Sequence, residues 1–206
     1  AKFSGDANFE GAKFASEADF VTAKFNGETK FREVQFCGKA YFSLSQFSGK
    51  DKTSKSANFR RAKFCEAADF TGSQFLNEAD FWGTEFVGDA EFILAKFCSD
   101  SFFWAAKFKG LADFSSARFD AVAAFDGTEF SSIADFRLAK FGGDVSFINS
   151  NFHGNVNFGV ANFSEMCIVE WANIKNHIEK SDSTIYPVLI KTYKDLSRFE
   201  DADDCY

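Results

Sequence analysis

The chain has 206 residues, 31 of them Phe, single Pro and Met residues, and a formal net charge of −7. Its size fits one domain or one solenoid, and the acidic balance disfavours direct nucleic-acid binding. No run of about 18 apolar residues offers a transmembrane helix. Five scattered Cys without CxxC spacing and two His argue against a disulfide framework and a histidine-rich metal site. A reducing, cytoplasmic setting is the simplest expectation, with no cofactor.

From the first residues the chain repeats itself. The N-terminus, AKFSGDANF, lacks an apolar signal core and opens on a repeat unit, as expected of a piece cut from a longer array. Phenylalanine recurs at 3, 9, 14, 20, 25, 31, 36, 42 and 47, then from 59 through 64, 70, 75, 81, 86, 92 and 97 to Phe163. The spacing alternates between five and six, and only Phe102 and Phe199 lie off this ladder. Two positions before each ladder Phe stands Ala, Ser, Thr or Val: Ala7, Ala12, Ala18, Ala23, Thr29 and Val34 in the early units. A large and a small side chain recurring together must share one interior. Neither the helical period of 3.6 nor the strand period of 2.0 gives that spacing. A coil that turns a corner at each unit does. The expected structural core is therefore the ring ladder, with Phe9, Phe14, Phe20, Phe25, Phe70, Phe75, Phe81, Phe86, Phe114, Phe119, Phe136 and Phe141 as its clearest members.

The motif A-(D/N/K)-F-x-x, repeated from Ala1 to about Ile174, resembles the pentapeptide-repeat family in its Phe-rich variety with alternating five- and six-residue units. The resemblance implies an all-β solenoid, a right-handed quadrilateral parallel β-helix with about 22 residues per coil. The rod would then be roughly 34 Å long, at about 4.8 Å per coil. The extra residue of the six-residue units, often acidic as in Asp6, Glu17, Glu28, Glu78 and Asp89, should fall at alternate corners.

Between Phe47 and Phe59 the expected spacing of six becomes twelve, and the parity afterwards is unchanged. This reads as a solvated loop inserted at about 50–55. Beyond Phe163 the pattern fades: Val169 and Ile174 keep the spacing, with Cys167 and Ala172 in the small position. The β-helix should thus occupy residues 1–180, with a degenerate last coil at 164–180 and a helical cap at 181–206. In the cap, Asp182 to Thr184 are capping candidates, and Ile185, Leu189, Tyr193 and Leu196 follow at helical spacing. A second short helix should begin near Arg198. The cap's physical purpose is to cover the unpaired edge of the last coil. The tail LSRFEDADDCY also resembles segments that lead from repeat arrays into membrane-spanning regions of larger microbial proteins.

Stacking the coils puts surface residues into columns. One face carries Lys2, Lys24, Lys96, Arg118 and Lys140, and the adjoining face Asp19, Asp69, Glu91, Asp113 and Asp135. The plain reading is two solvated, compensating walls. On another corner Trp82 and Trp104 should stack on successive coils with Phe102 beside them. Three outward aromatics on neighbouring coils form the candidate interface. Cys37 and Cys65 share a column and read as free thiols.

No nucleophile elbow, P-loop or HExxH motif is present, so the expected function is a non-enzymatic scaffold for protein–protein interaction. The partner would be another protein or, through the aromatic corner, a second copy of this chain in a homodimer. Two alternatives follow from the family resemblance. Some such proteins are acidic rods that bind type II topoisomerases in place of DNA, and others are soluble domains of membrane-attached chains. Against mimicry, residues 1–163 carry 18 Lys and Arg against 21 Asp and Glu, too even a mixture for a phosphate-like field.

Overall fold

A computed structural model describes residues 1–50, 57–179 and 182–205. Through Ile168 each repeat unit contributes one two-residue strand, such as Lys2–Phe3, Ala7–Asn8, Lys13–Phe14 and Ala18–Asp19, which begin the first to fourth faces in that order. Each strand pairs in parallel with its equivalent one coil on, giving two eight-stranded and two seven-stranded sheets. Register follows the repeat: Lys2 faces Lys24 and Phe3 faces Phe25. Across the insertion Phe47 still faces Phe75, so the six extra residues leave every face aligned. The loop expected at about 50–55 lies outside the described residues apart from Lys50. The result is a quadrilateral parallel β-solenoid of about seven coils with about 22 residues in each.

The interior is made of four ring stacks. Phe92 lies between Phe70 and Phe114 with centroids 4.8 Å away on both sides and planes within 3° of parallel. Its neighbours on other faces meet it edge-on, Phe81 at 5.5 Å and 90° and Phe103 at 5.6 Å and 88°. Each ring therefore offers its face along the axis and its edge across it, the arrangement the aromatic quadrupole favours. Phe25, Phe70, Phe75, Phe81, Phe86, Phe114, Phe119, Phe136 and Phe141 are buried. Phe9, Phe14 and Phe20 are only partly buried, because the first coil is covered on one side alone. The small position permits close corners, and where it is Thr84, Thr128 or Ser150 the hydroxyl donates to the carbonyl of Phe59, Phe103 or Phe125 at 2.7 Å.

Two kinds of corner alternate. Five-residue units close a tight turn in which the small residue's N–H donates back to the ring residue's carbonyl, as from Ala95 to Phe92 at 3.0 Å. The residue before the small one takes a left-handed backbone, φ +69° at Gly11 and +58° at Leu94. In six-residue units the added acidic residue acts vertically. Asp6, Asp89 and Asp144 accept the N–H of Glu28, Leu111 and Met166 one coil on, at 2.9, 2.8 and 3.1 Å. The acidic residues at these corners thus satisfy backbone donors that the turn leaves open.

At the C-terminal end the last coil is partly helical. Helix α1 (Trp171–Ile174) stands where the next strand was expected, although Val169 and Ile174 remain buried as ring substitutes. An isolated parallel bridge joins Val156 to Ile178. Helix α2 (Ile185–Asp195) buries Ile185, Leu189 and Tyr193, and α3 (Phe199–Asp204) follows from an N-cap at Arg198. Leu196, expected on the buried face, is 40% exposed just past the end of α2.

The capping candidates serve the coil more than the helix. Asp182 Oδ2 accepts the N–H of Phe158 at 2.6 Å, and Thr184 Oγ1 accepts that of Val160 at 3.1 Å. Thr192 Oγ1 accepts from Cys167 N at 3.2 Å, and the Tyr193 hydroxyl donates to the Val169 carbonyl at 3.0 Å. The cap therefore closes the open sheet edge with hydrogen bonds as well as apolar cover. Among the described residues, no helix is long and apolar enough to cross a membrane.

Candidate protein-docking surface

The aromatic residues lie on the five-residue corner that follows the sheet holding Ala79–Asp80 and Ser101–Phe102. Trp82 and Trp104 each follow a buried ring, Phe81 or Phe103, and the turn directs them outward. Trp82 is anchored at its backbone, its N–H donating to Asp80 Oδ1 at 3.1 Å and its carbonyl accepting from Arg61 at 2.8 Å. The two indoles occupy successive coils, yet Trp82's ring is claimed by cations. The guanidinium carbons of Arg60 and Arg61 lie 4.6 and 4.8 Å from its centroid. Trp104, 41% exposed, packs instead on Phe102, with centroids 4.5 Å apart and planes tilted by 39°. Counting puts Arg32 and Arg60 in the same column as Trp82, Arg60 one coil before it; what the count did not show is that the Arg60 and Arg61 guanidiniums both lie over the indole.

The guanidiniums are only loosely held by carboxylates. Arg60 Nε is 3.8 Å from Asp80 Oδ2, and Arg61 Nη1 is 3.7 Å from Glu33 Oε1. Arg32 shares Glu33 at 3.2 Å and meets Glu10 at 3.7 Å. Arg32, Arg60, Arg61 and Trp82 line a shallow depression of about 200 Å³. The Phe102–Trp104 pair stands one coil on, with Phe102 facing Asp80 in register. Such a surface can hold a carboxylate by charge-assisted hydrogen bonds while covering an adjacent apolar side chain. Cation–π contacts this exposed contribute roughly 0.5–1 kcal/mol each, so the arginines are positioned without being locked.

The acidic column has a different character from that expected. Asp19, Asp69, Asp113 and Asp135 each accept the backbone N–H two residues on, at 2.8 to 3.0 Å. Their carboxylates are thus partly committed to turns, the local bonding for which Asp and Asn are favoured. Asp135 also pairs with Arg137. Glu91, too long for that turn, has its carboxyl raised above the usual range, first by burial and then by Asp69, Asp113 and Asp89. Cys37, Cys65, Cys98, Cys167 and Cys205 are all free thiols. Burial pushes the Cys205 thiol up to about 11, aided by Asp201 and Asp204.

A family model described as pentapeptide repeats, in nine copies, matches residues 54–95, 103–151 and 125–168, together just over half of the chain. The chain belongs to the pentapeptide-repeat family. This pentapeptide-repeat scaffold matches no curated protein. Among solved structures it is similar to trypsin-treated QnrB1, a plasmid-mediated fluoroquinolone resistance protein, at 14% identity and a TM-score of 0.32 over 94% of both chains.

Proposed function

We propose that the rod is a non-enzymatic scaffold that docks a protein partner on the corner formed by Arg60, Arg61, Trp82, Phe102 and Trp104. The observation carrying this reading is the exposed Trp104, packed on a half-buried Phe102, one coil from an indole flanked by two guanidiniums. Trp and Arg are the residue types that most often dominate binding energy at protein interfaces. The partner should present an acidic side chain beside an apolar one. A cytoplasmic setting suits the free thiols.

The test uses wild-type rod and a Trp82→Ala/Trp104→Ala double variant as parallel baits in lysate, followed by affinity measurement on any differential partner. Equal melting temperatures would show that both baits are folded. A partner bound at least about tenfold more weakly by the variant supports the reading. Identical captures from both baits would defeat it.

DNA mimicry by an acidic face is the weaker reading. It requires an unbroken negative column, whereas Lys96, Arg118 and Lys140 stand on the adjoining sheet and Asp135 is held by Arg137. Inhibition of gyrase supercoiling at micromolar rod would reverse this order of preference.

A further inference from the structure

The five-residue corner diagonally opposite the tryptophans carries a second pattern. Its left-handed positions, one per coil, are Thr22, Leu44, Gly72, Leu94, Ser116, Leu138 and Val160, with φ between +55° and +64°. Leu44, Leu94 and Leu138 are 64, 63 and 53% exposed, and Val160 is 71% exposed. Two unfavourable features coincide at each leucine. An L-residue is strained in this backbone region, most of all when bulky, and an apolar side chain is left in water. Glycine would avoid both, as it does at Gly72 here and at Gly11, Gly83 and Gly127 on the opposite corner. The leucines stand two coils apart, with Gly72 and Ser116 at the coils between them. Leu44 leans over the first gap: a Cβ added to Gly72 would lie 2.8 Å from Leu44 Cδ2.

Charge flanks this apolar edge in a level-by-level match. On the fourth face Asp19, Glu91, Asp113 and Asp135 stand at the levels where the first face, just across the corner, has Lys24, Lys96, Arg118 and Lys140. Where the acidic side is neutral, at Tyr41 and Asn157, the basic side is neutral too, at Gln46 and Asn162. Asp69 opposite Gln74 is the exception. Among the described residues no ion pair joins the two flanks within the chain: Lys96 and Arg118 reach Asp120, and Asp135 takes Arg137.

We propose that this edge is a homodimer interface, two rods packed side by side with parallel axes about a two-fold axis running along the rod. That operator places Leu44, Leu94 and Leu138 against the same residues of a second copy. It also turns each acidic flank toward the basic flank of the other chain at the same level. The antiparallel two-fold arrangement would set acid against acid and base against base, which disfavours it. A second copy therefore covers the apolar stripe and brings Asp19, Glu91 and Asp113 to Lys24, Lys96 and Arg118, while Asp135 keeps its own Arg137.

Sedimentation equilibrium of the full chain at tens of micromolar tests the proposal. Wild type should be dimeric. The triple variant Leu44→Asn/Leu94→Asn/Leu138→Asn should dissociate at least about tenfold more readily with an unchanged circular dichroism spectrum, because Asn tolerates the left-handed backbone. Glu91→Lys and Lys96→Glu should each weaken the dimer, and the double swap should restore it. A monomeric wild type, or a triple variant that dimerises as tightly as wild type, overturns the interface. A double swap weaker than both single variants overturns the parallel arrangement. Loss of the dimer on Trp82→Ala/Trp104→Ala alone would instead place self-association on the docking corner, and would overturn the proposal.

Discussion

Replacing Phe92 with Ala tests the ring stacks at their most enclosed point. Phe92 is fully buried, lies 4.8 Å from both Phe70 and Phe114, and is met edge-on by Phe81 and Phe103. Phe→Ala substitutions in cores cost about 3–5 kcal/mol when the cavity stays open, and each lost aromatic pair adds roughly 0.5–1.5 kcal/mol beyond area. Sheet pairing above and below holds the backbone, so collapse should be limited and the loss should fall at about 4–5 kcal/mol. Phe3 is the control. It is partly buried and stacks on one side only, on Phe25 at 4.7 Å, so Phe3→Ala should cost about 1–2 kcal/mol. Urea unfolding of the two variants and wild type, followed by far-UV circular dichroism, measures both. In a solenoid whose stability is a sum of neighbour terms, the central variant should also broaden the transition or split it. If Phe92→Ala costs no more than Phe3→Ala, stacking on both sides does not hold the rod together and the argument fails.

Three further variants probe the backbone, the interior and the cap. Asp182→Ala removes the acceptor for the N–H of Phe158 and should cost about 1–3 kcal/mol; hydrogen exchange should speed up at Phe158 and leave the middle coils unchanged. Ser45 and Ser73 have buried hydroxyls without partners in a column that elsewhere holds Ala23, Ala95, Ala117 and Ala139. The double change to Ala should raise stability by about 1–2 kcal/mol in urea unfolding. Gly88→Ala would set a Cβ 2.5 Å from the Glu66 carbonyl carbon. Because the obstacle is backbone, a loss of about 1–3 kcal/mol is expected, read as a lowered melting temperature.

The repeat made the register legible to the residue. Columns deduced by counting 22 along the chain, such as Lys2, Lys24 and Gln46, are the columns that pair. Counting also carried the register across the insertion. What spacing could not show was how side chains use their freedom. The Asp residues that directly precede ring residues, such as Asp113 before Phe114, looked like a charged wall, whereas each accepts its own turn's N–H. The left-handed corner was visible in principle, since Gly11, Gly83 and Gly127 recur every 22 residues or a multiple of that once the insertion is subtracted. The same count places Leu44, Leu94 and Leu138 in one column, although spacing alone does not show that this column is left-handed and exposed. Helix α1 carried no such signal: Val169 and Ile174 keep the ladder's spacing although the chain between them is helical.

The two surfaces follow from one division of labour. Ring stacking and backbone ladders determine the interior and the flat faces, so residue choice is freest at the corners. The five-residue corners offer two outward positions per coil, and the two corners use different ones. Trp82 and Trp104 take the relaxed position, with Gly83 or Ala105 absorbing the left-handed backbone beside them. Leu44, Leu94 and Leu138 take the strained position itself. An apolar residue is tolerated at a strained, solvated site when its surroundings in the assembled state compensate, which is why the leucine edge points to a constitutive contact. The tryptophan corner keeps its indoles at relaxed positions and has polar side chains, Glu33 and Arg61, at two of its strained ones, which suits a contact that is made and released. Because the corners are diagonal to each other, a dimer through the leucines leaves both tryptophan corners facing outward, each able to hold a partner without displacing the other rod.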